Sequence, residues 1–194
     1  MRVQELSPGL WRWTGLHPEW TPEQGGPEGW EQEVGCVYYE APDAVVLVDP
    51  LVPPEDEERF WRALDRDVER VGKPVRVLLT VHWHARSAAA IAARYGGEVG
   101  GHLPRGVEGH HAVHFDETVF WIPEHGALLF GDVVLGAAGG GVRLCPESWL
   151  ENASHAELKE ALRPLLDLPV ERLLVSHGEP VLEDGRAALA LALA

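Results

Sequence analysis

Lysine is almost missing from this chain. Of the 16 basic residues only Lys73 and Lys159 are lysines, set against 31 acidic ones for a formal net charge of −15. No basic cluster interrupts that charge, so nucleic acid and anionic membrane surfaces are poor partners and a small-molecule substrate is the expectation. Cysteine is as scarce: Cys36 and Cys145 lie far apart with no CxxC spacing, which points to two reduced thiols rather than a disulfide framework. No apolar targeting run opens the sequence and no stretch is long enough to span a bilayer, so a cytoplasmic protein is expected. Gly139-Gly140-Gly141 lacks the Lys-Ser/Thr of a phosphate loop and reads as a surface turn.

What is present is a chain of 194 residues, enough for one well-buried core, with no linker-like stretch to divide it. Residues 1–194 therefore read as a single domain. The most informative stretch is the apolar run over residues 75–81, which reads as a buried strand and leads directly into His82-Trp83-His84. In extended backbone, side chains two apart point the same way, so both imidazoles are expected to converge beyond a strand's carboxyl end, where open α/β sheets place their sites. Three further polar residues close apolar segments in the same manner: His114, Asp132 after Phe130-Gly131, and His177 after the run ending at Ser176. Imidazole and carboxylate together suit zinc or iron.

The order of these elements resembles the metallo-β-lactamase superfamily. The shared phrases are Val45-Val46-Leu47-Val48-Asp49-Pro50, His82-Trp83-His84, His114, Phe130-Gly131-Asp132 and Ser176-His177-Gly178. The resemblance covers nearly the whole chain and implies a four-layer αββα sandwich, an α/β (α+β) fold of two mixed β-sheets flanked by helices. It implies His82, His84 and His114 as ligands of a first metal, with Asp132 as a further ligand and His177 beside it. His111 is the alternative to His114. Asp49 would support the ligands by hydrogen bonding. The family's HxHxDH reads HxHxRS here: Arg86 and Ser87 stand where two ligands of a second metal belong, so at most one metal is expected, zinc or alternatively iron. Arg86 either pairs with Asp132 or points to solvent.

Along the chain, residues 1–16 read as two short strands, with Trp11 and Trp13 sharing an inward face. Residues 17–31 show no periodicity and form a long loop, of the kind that is often functional; its tryptophans either pin it to the body or lie over the site. Strands are expected over 34–39 and 44–48. A helix begins after Pro53-Pro54 with Phe60, Leu64, Val68 and Val71 on one face, and another follows over 87–95. Short strands are expected at 98–101, 107–115, 118–122, 127–130, 133–135 and 171–176. Ser154 and Glu157 form a capping box for a helix that bends near Pro164, and residues 185–194 form the last helix.

Two functions follow from this reading. The first is a metal-dependent hydrolase with a mononuclear site, acting on a small ester or thioester, in which Asp132 or His177 handles protons because Arg86 cannot. The second is a non-catalytic member of the same fold that holds a metal or small ligand.

Overall fold

The computed structural model describes residues 1–112, 116–150 and 153–194. Six strands form the first sheet in sequence order: β1 (Arg2–Ser7), β2 (Leu10–Leu16), β3 (Glu33–Glu40), β4 (Val45–Val48), β5 (Val75–Leu78) and β6 (Glu98–Val99). The first four pair antiparallel, whereas β4, β5 and β6 run parallel. Parallel neighbours need a crossover, and two helices supply it: α1 (Glu57–Val71) between β4 and β5, and α2 (Ala88–Tyr95) between β5 and β6.

A second sheet holds β7 (Glu108–His111), β8 (Thr118–Ile122) and β9 (Ala127–Phe130) antiparallel to one another, then the last strand, β12 (Arg172–Val175), parallel to β9. Between them in sequence lies the hairpin β10 (Val134–Gly136) and β11 (Val142–Leu144), closed by the triple-glycine turn. Helices α3 (His155–Leu162) and α4 (Gly185–Ala192) complete the chain.

Strand alternation sorts the apolar side chains into three cores and thereby stacks the layers. In β4, Val46 and Val48 face inward with Val37, Leu78, Phe120, Leu129 and Leu174, a core drawn from both sheets. Val45 and Leu47 point the other way, to Phe60 and Leu64 of α1 and Ile91 of α2. In the second sheet Phe120 and Ile122 join the inner core, while Val119, Trp121, Leu128 and Phe130 pack on Leu158, Leu162 and Leu189 of the outer helices. A period of two on each strand thus leaves both faces apolar, and only a helix layer on each outer face covers them. The result is the expected αββα sandwich. Truncating a residue such as Leu64 or Leu128 to Ala costs about 2–5 kcal/mol.

Local signals behave as their chemistry requires. Ser154 and Glu157 exchange bonds at the start of α3, and the chain passes into a 3-10 turn at Arg163–Asp167 around Pro164. Trp13 packs on Phe60 and donates its indole N–H to Leu51 O, and Trp11 sits edge-on to Tyr38 on the same face. Cys36 and Cys145 are buried free thiols. Among the described residues no helix is long and apolar enough to cross a membrane.

Candidate metal centre

Both sheets contain a parallel pair, β4 with β5 and β9 with β12, so the carboxyl ends of four strands collect at one edge of the sandwich. Asp49 follows β4, the histidine stretch follows β5, Asp132 follows β9 and His177 follows β12. The two sheets are joined here by backbone bonds, Thr118 N–H to Thr80 O and Gly35 N–H to Ser176 O. Approach is close enough that a Cβ on Gly131 would lie 2.4 Å from Thr80 Oγ1, so no larger residue fits.

Asp49 is the hub beneath this edge. It is 2% exposed and holds a positive φ of 48°, a conformation seldom kept without surrounding bonds. Its Oδ1 accepts from Thr80 N at 2.8 Å, and its Oδ2 accepts from Thr80 Oγ1 at 2.5 Å and Ser176 Oγ at 3.1 Å and faces His84 Nδ1 at 2.9 Å. The carboxylate thereby fixes the His84 ring with Nδ1 as donor and turns Nε2 toward the site.

Asp132 sits opposite. Its turn is pinned by Glu117, a fully buried carboxylate that accepts the N–H groups of Gly131, Asp132 and Val133 at 2.8, 2.8 and 3.0 Å. Burial, with the Asp132 charge nearby, pushes Glu117 up to about 7. Asp132 Oδ2 accepts from Trp83 Nε1 at 2.7 Å. Its Oδ1 faces the imidazoles instead: His84 Nε2 lies at 3.3 Å and His177 Nε2 at 3.1 Å, and among the described residues this buried oxygen has no other partner. His177 Nδ1 is likewise buried and without a partner among them.

His84, Asp132 and His177 therefore form a buried group whose three donor atoms lie within 4.8 Å of one another. Electrostatics bind it together. Burial opposes a charge on His84, but Asp49 and Asp132 outweigh it and raise the ring to about 9. Burial also opposes ionisation of Asp132, yet the imidazoles of His177 and His84 hold it well below the usual carboxylate range. Burial keeps His177 below its ordinary value. Two imidazole nitrogens and a carboxylate oxygen, converging where one ring is already oriented by a second carboxylate, make a donor set that fits zinc or iron.

The sequence expectations meet this geometry unevenly. Asp132, His84 and His177 come together. His82 does not: β5 stops at Leu78, and His82–Ala85 coils into a 3-10 turn. At three residues per turn, positions two apart no longer share a side. His82 is exposed and stacks edge-on with Trp83 instead. His114 lies outside the described residues, and His111 is exposed on β7, paired with Thr118, and is not among the three converging donors. Arg86 neither pairs with Asp132 nor reaches freely into solvent: at φ 33° it turns back, and its Nη1 donates to Asp49 O at 2.9 Å and Gly35 O at 3.3 Å. Ser87 Oγ accepts from Val52 N at 2.9 Å.

Trp83 and Glu117 were not visible in the sequence as site residues. Nothing marks the residue between two histidines as a carboxylate partner, and Glu117 reaches its three N–H groups only through the pairing of β8 with β9.

Above the group opens a cavity of about 710 Å³, walled by part of the 17–31 loop, including His17, Glu28 and Trp30, and by Trp83, Arg86 and Trp149. The loop is pinned and also lies over the site. Trp20 donates its N–H to Trp30 O, Trp149 Nε1 donates to Glu28 O, and Ser148 Oγ donates to Glu28 Oε2. The Trp30 ring lies 4.9 Å from that of His177.

Several solved structures share this architecture. A metallo-β-lactamase from Erythrobacter litoralis superposes with a TM-score of 0.60 at 17% identity, over 98% of this chain and 89% of its own. FIM-1 from Pseudomonas aeruginosa, a metallo-β-lactamase in its mono-zinc form, gives 0.58 at 14% identity over 99% and 94%. The protein VMB-1 gives 0.60 at 12% identity over 100% and 98%. No protein-family profile and no curated protein matches the chain in sequence. Likeness at such identity is a likeness of fold, and it extends over essentially the full length of this chain: the protein has the metallo-β-lactamase fold.

Proposed function

We propose that this protein is a metal-dependent hydrolase with a mononuclear site, in which His84, Asp132 and His177 hold one zinc, or alternatively iron, and the substrate is a small ester or thioester. The observation that carries the proposal is the convergence of three buried donor atoms, a carboxylate oxygen and the two imidazole nitrogens it faces, at the floor of a substrate-sized cavity. FIM-1, similar in fold, is a mono-zinc protein in one of its structures, which supports a single ion. Arg86 and Ser87 are engaged with backbone groups and offer the donor group no further ligand, which supports the same count. A metal in such a site supplies Lewis acidity toward a carbonyl and a nucleophile from water near neutral pH.

The chain's own residues do the rest. Asp49 keeps the His84 proton on Nδ1, and Trp83 occupies Asp132 Oδ2 so that Oδ1 stays available. Trp30 and Trp149 narrow the access of water. His17 accepts the Glu19 N–H at Nδ1, so its neutral ring carries the proton on Nε2 and offers a donor to a substrate oxygen. Elemental analysis of protein purified without chelator tests the reading. About one zinc or iron per chain, lost in His84→Ala and His177→Ala but kept in His82→Ala, supports it; no metal after incubation with zinc sinks it.

A second reading is a non-catalytic member of the fold that binds without turnover. It is favoured by one observation: Asp132 and His177, the groups expected to handle protons, are both in the donor group itself. Metal binding with no hydrolysis across an ester and thioester panel selects it.

A further inference from the structure

The walls of the cavity have a composition that bears on what enters it. Three tryptophans line it from three separate segments: Trp30 from the long loop, Trp83 after β5 and Trp149 after β11. Two of them are fixed by their N–H groups, Trp83 to Asp132 Oδ2 at 2.7 Å and Trp149 to Glu28 O at 2.9 Å. Trp30 is held between the rings of His17 and His177. Interleaved with this aromatic surface are Glu19, Glu23 and Glu28, exposed at the rim. Lysine is absent from the described lining; Arg86 is there and keeps its charge while its Nη1 donates to the carbonyls of Asp49 and Gly35, one cation against the three rim carboxylates. At the floor lies Asp132, side chain nine-tenths buried, with its Oδ1 at 3.3 Å from His84 Nε2 and 3.1 Å from His177 Nε2.

Indole faces carry negative quadrupole potential, which attracts cations and repels anions, and rim carboxylates add to that bias over about a Debye length. A wall of this kind disfavours substrates bearing phosphate or carboxylate. From this juxtaposition we infer that the substrate carries a cationic group, an ammonium or quaternary ammonium, seated against Trp30, Trp83 and Trp149 with its ester or thioester carbonyl at the donor group. The inference deepens the hydrolase reading and rests on it for the reaction, but the seat for the cation stands on the cavity wall alone.

The test uses zinc-loaded protein and two pairs of compounds. Binding is read by calorimetry with choline against 3,3-dimethylbutanol, its uncharged carbon isostere. Turnover is read with acetylthiocholine against S-(3,3-dimethylbutyl) thioacetate, with S-acetyl-3-mercaptopropionate as the anionic member. The cationic compounds are expected to bind and to react about tenfold better than the neutral isosteres, with the anion poorest, and the ratio should fall as salt rises. Glu19→Gln with Glu23→Gln should shrink the preference several-fold, and Trp30→Leu should remove most of it. Preferential choline binding without turnover of any ester keeps the inference and rejects the hydrolase. Equal or better binding of the neutral isostere overturns the inference, and turnover of its thioacetate then leaves the hydrolase standing.

Discussion

Two buried aspartates at neighbouring strand ends, Asp49 and Asp132, are put to opposite uses. Asp49 accepts Thr80 N, Thr80 Oγ1 and Ser176 Oγ and holds His84 Nδ1, so the polar capacity of both oxygens is taken by the protein. Asp132 has one oxygen bonded to Trp83 and the other facing two imidazole nitrogens. Asp132 Oδ1 thus belongs with the two imidazole nitrogens to the group of converging donor atoms, whereas the oxygens of Asp49 are structural ties. The contrast separates a carboxylate that holds the shape of this edge from one that stands among the converging donors.

The comparison can be broken most directly at Asp132. Asp132→Ala should abolish metal binding and with it any hydrolysis while leaving a folded protein, measured by elemental analysis beside circular dichroism; retained stoichiometric metal would refute the donor assignment. Asp49→Ala should do the reverse in emphasis. Removing one partner of a buried charged pair costs about 3–5 kcal/mol in denaturant unfolding, and loss of His84 orientation should weaken metal affinity about 10–100-fold.

A pH titration sharpens the same contrast in metal-free protein. His84 is raised from its ordinary 6.5 to about 9 by Asp49 and Asp132 against the opposing effect of burial, so its protonated form stabilises the fold. That contribution is complete below about pH 6.5 and is lost as pH climbs through about 9. Zinc needs the same ring neutral, so zinc affinity should rise over this window while metal-free stability falls, as competition titrations and thermal melts at matched pH will show. His84→Gln should flatten both trends.

Smaller effects are expected further out. Arg86→Met leaves the Asp49 and Gly35 carbonyls without their donor and should cost about 1–3 kcal/mol, read from the urea midpoint, with metal content unchanged. Trp83→Phe, which releases only Asp132 Oδ2, should weaken zinc by a few-fold in a chelator competition; a loss as large as that of Asp132→Ala would mean that Trp83 does more than occupy one oxygen.

Much of the fold was readable in the chain because it rests on local chemistry. The unbroken apolar runs Val-Val-Leu-Val over 45–48 and Ala-Leu-Leu-Phe over 127–130 mark strands with two apolar faces, Pro53-Pro54 and the acids after it start α1, and Ser154 with Glu157 starts α3. The donor group was half readable. His84, Asp132 and His177 each close an apolar run, and that placement is where parallel strands deliver side chains. His82 misled because two apart means same-sided only while the backbone stays extended. The turn that ended the strand depends on Asp49, 31 residues earlier, taking the Thr80 N–H.

The sequence by itself determined most of the strands and helices, though not β11, together with the need to cover both faces of each sheet and the gathering of polar residues at strand ends. Those are consequences of periodicity and of short-range backbone chemistry. Tertiary structure alone decided which imidazoles meet which carboxylates, that Arg86 turns to backbone carbonyls rather than to Asp132, and that Trp83 and Glu117 hold Asp132 in place. Each of these depends on contacts between residues many positions apart, where a shift of a few ångströms separates a donor aimed at a site from a side chain in solvent.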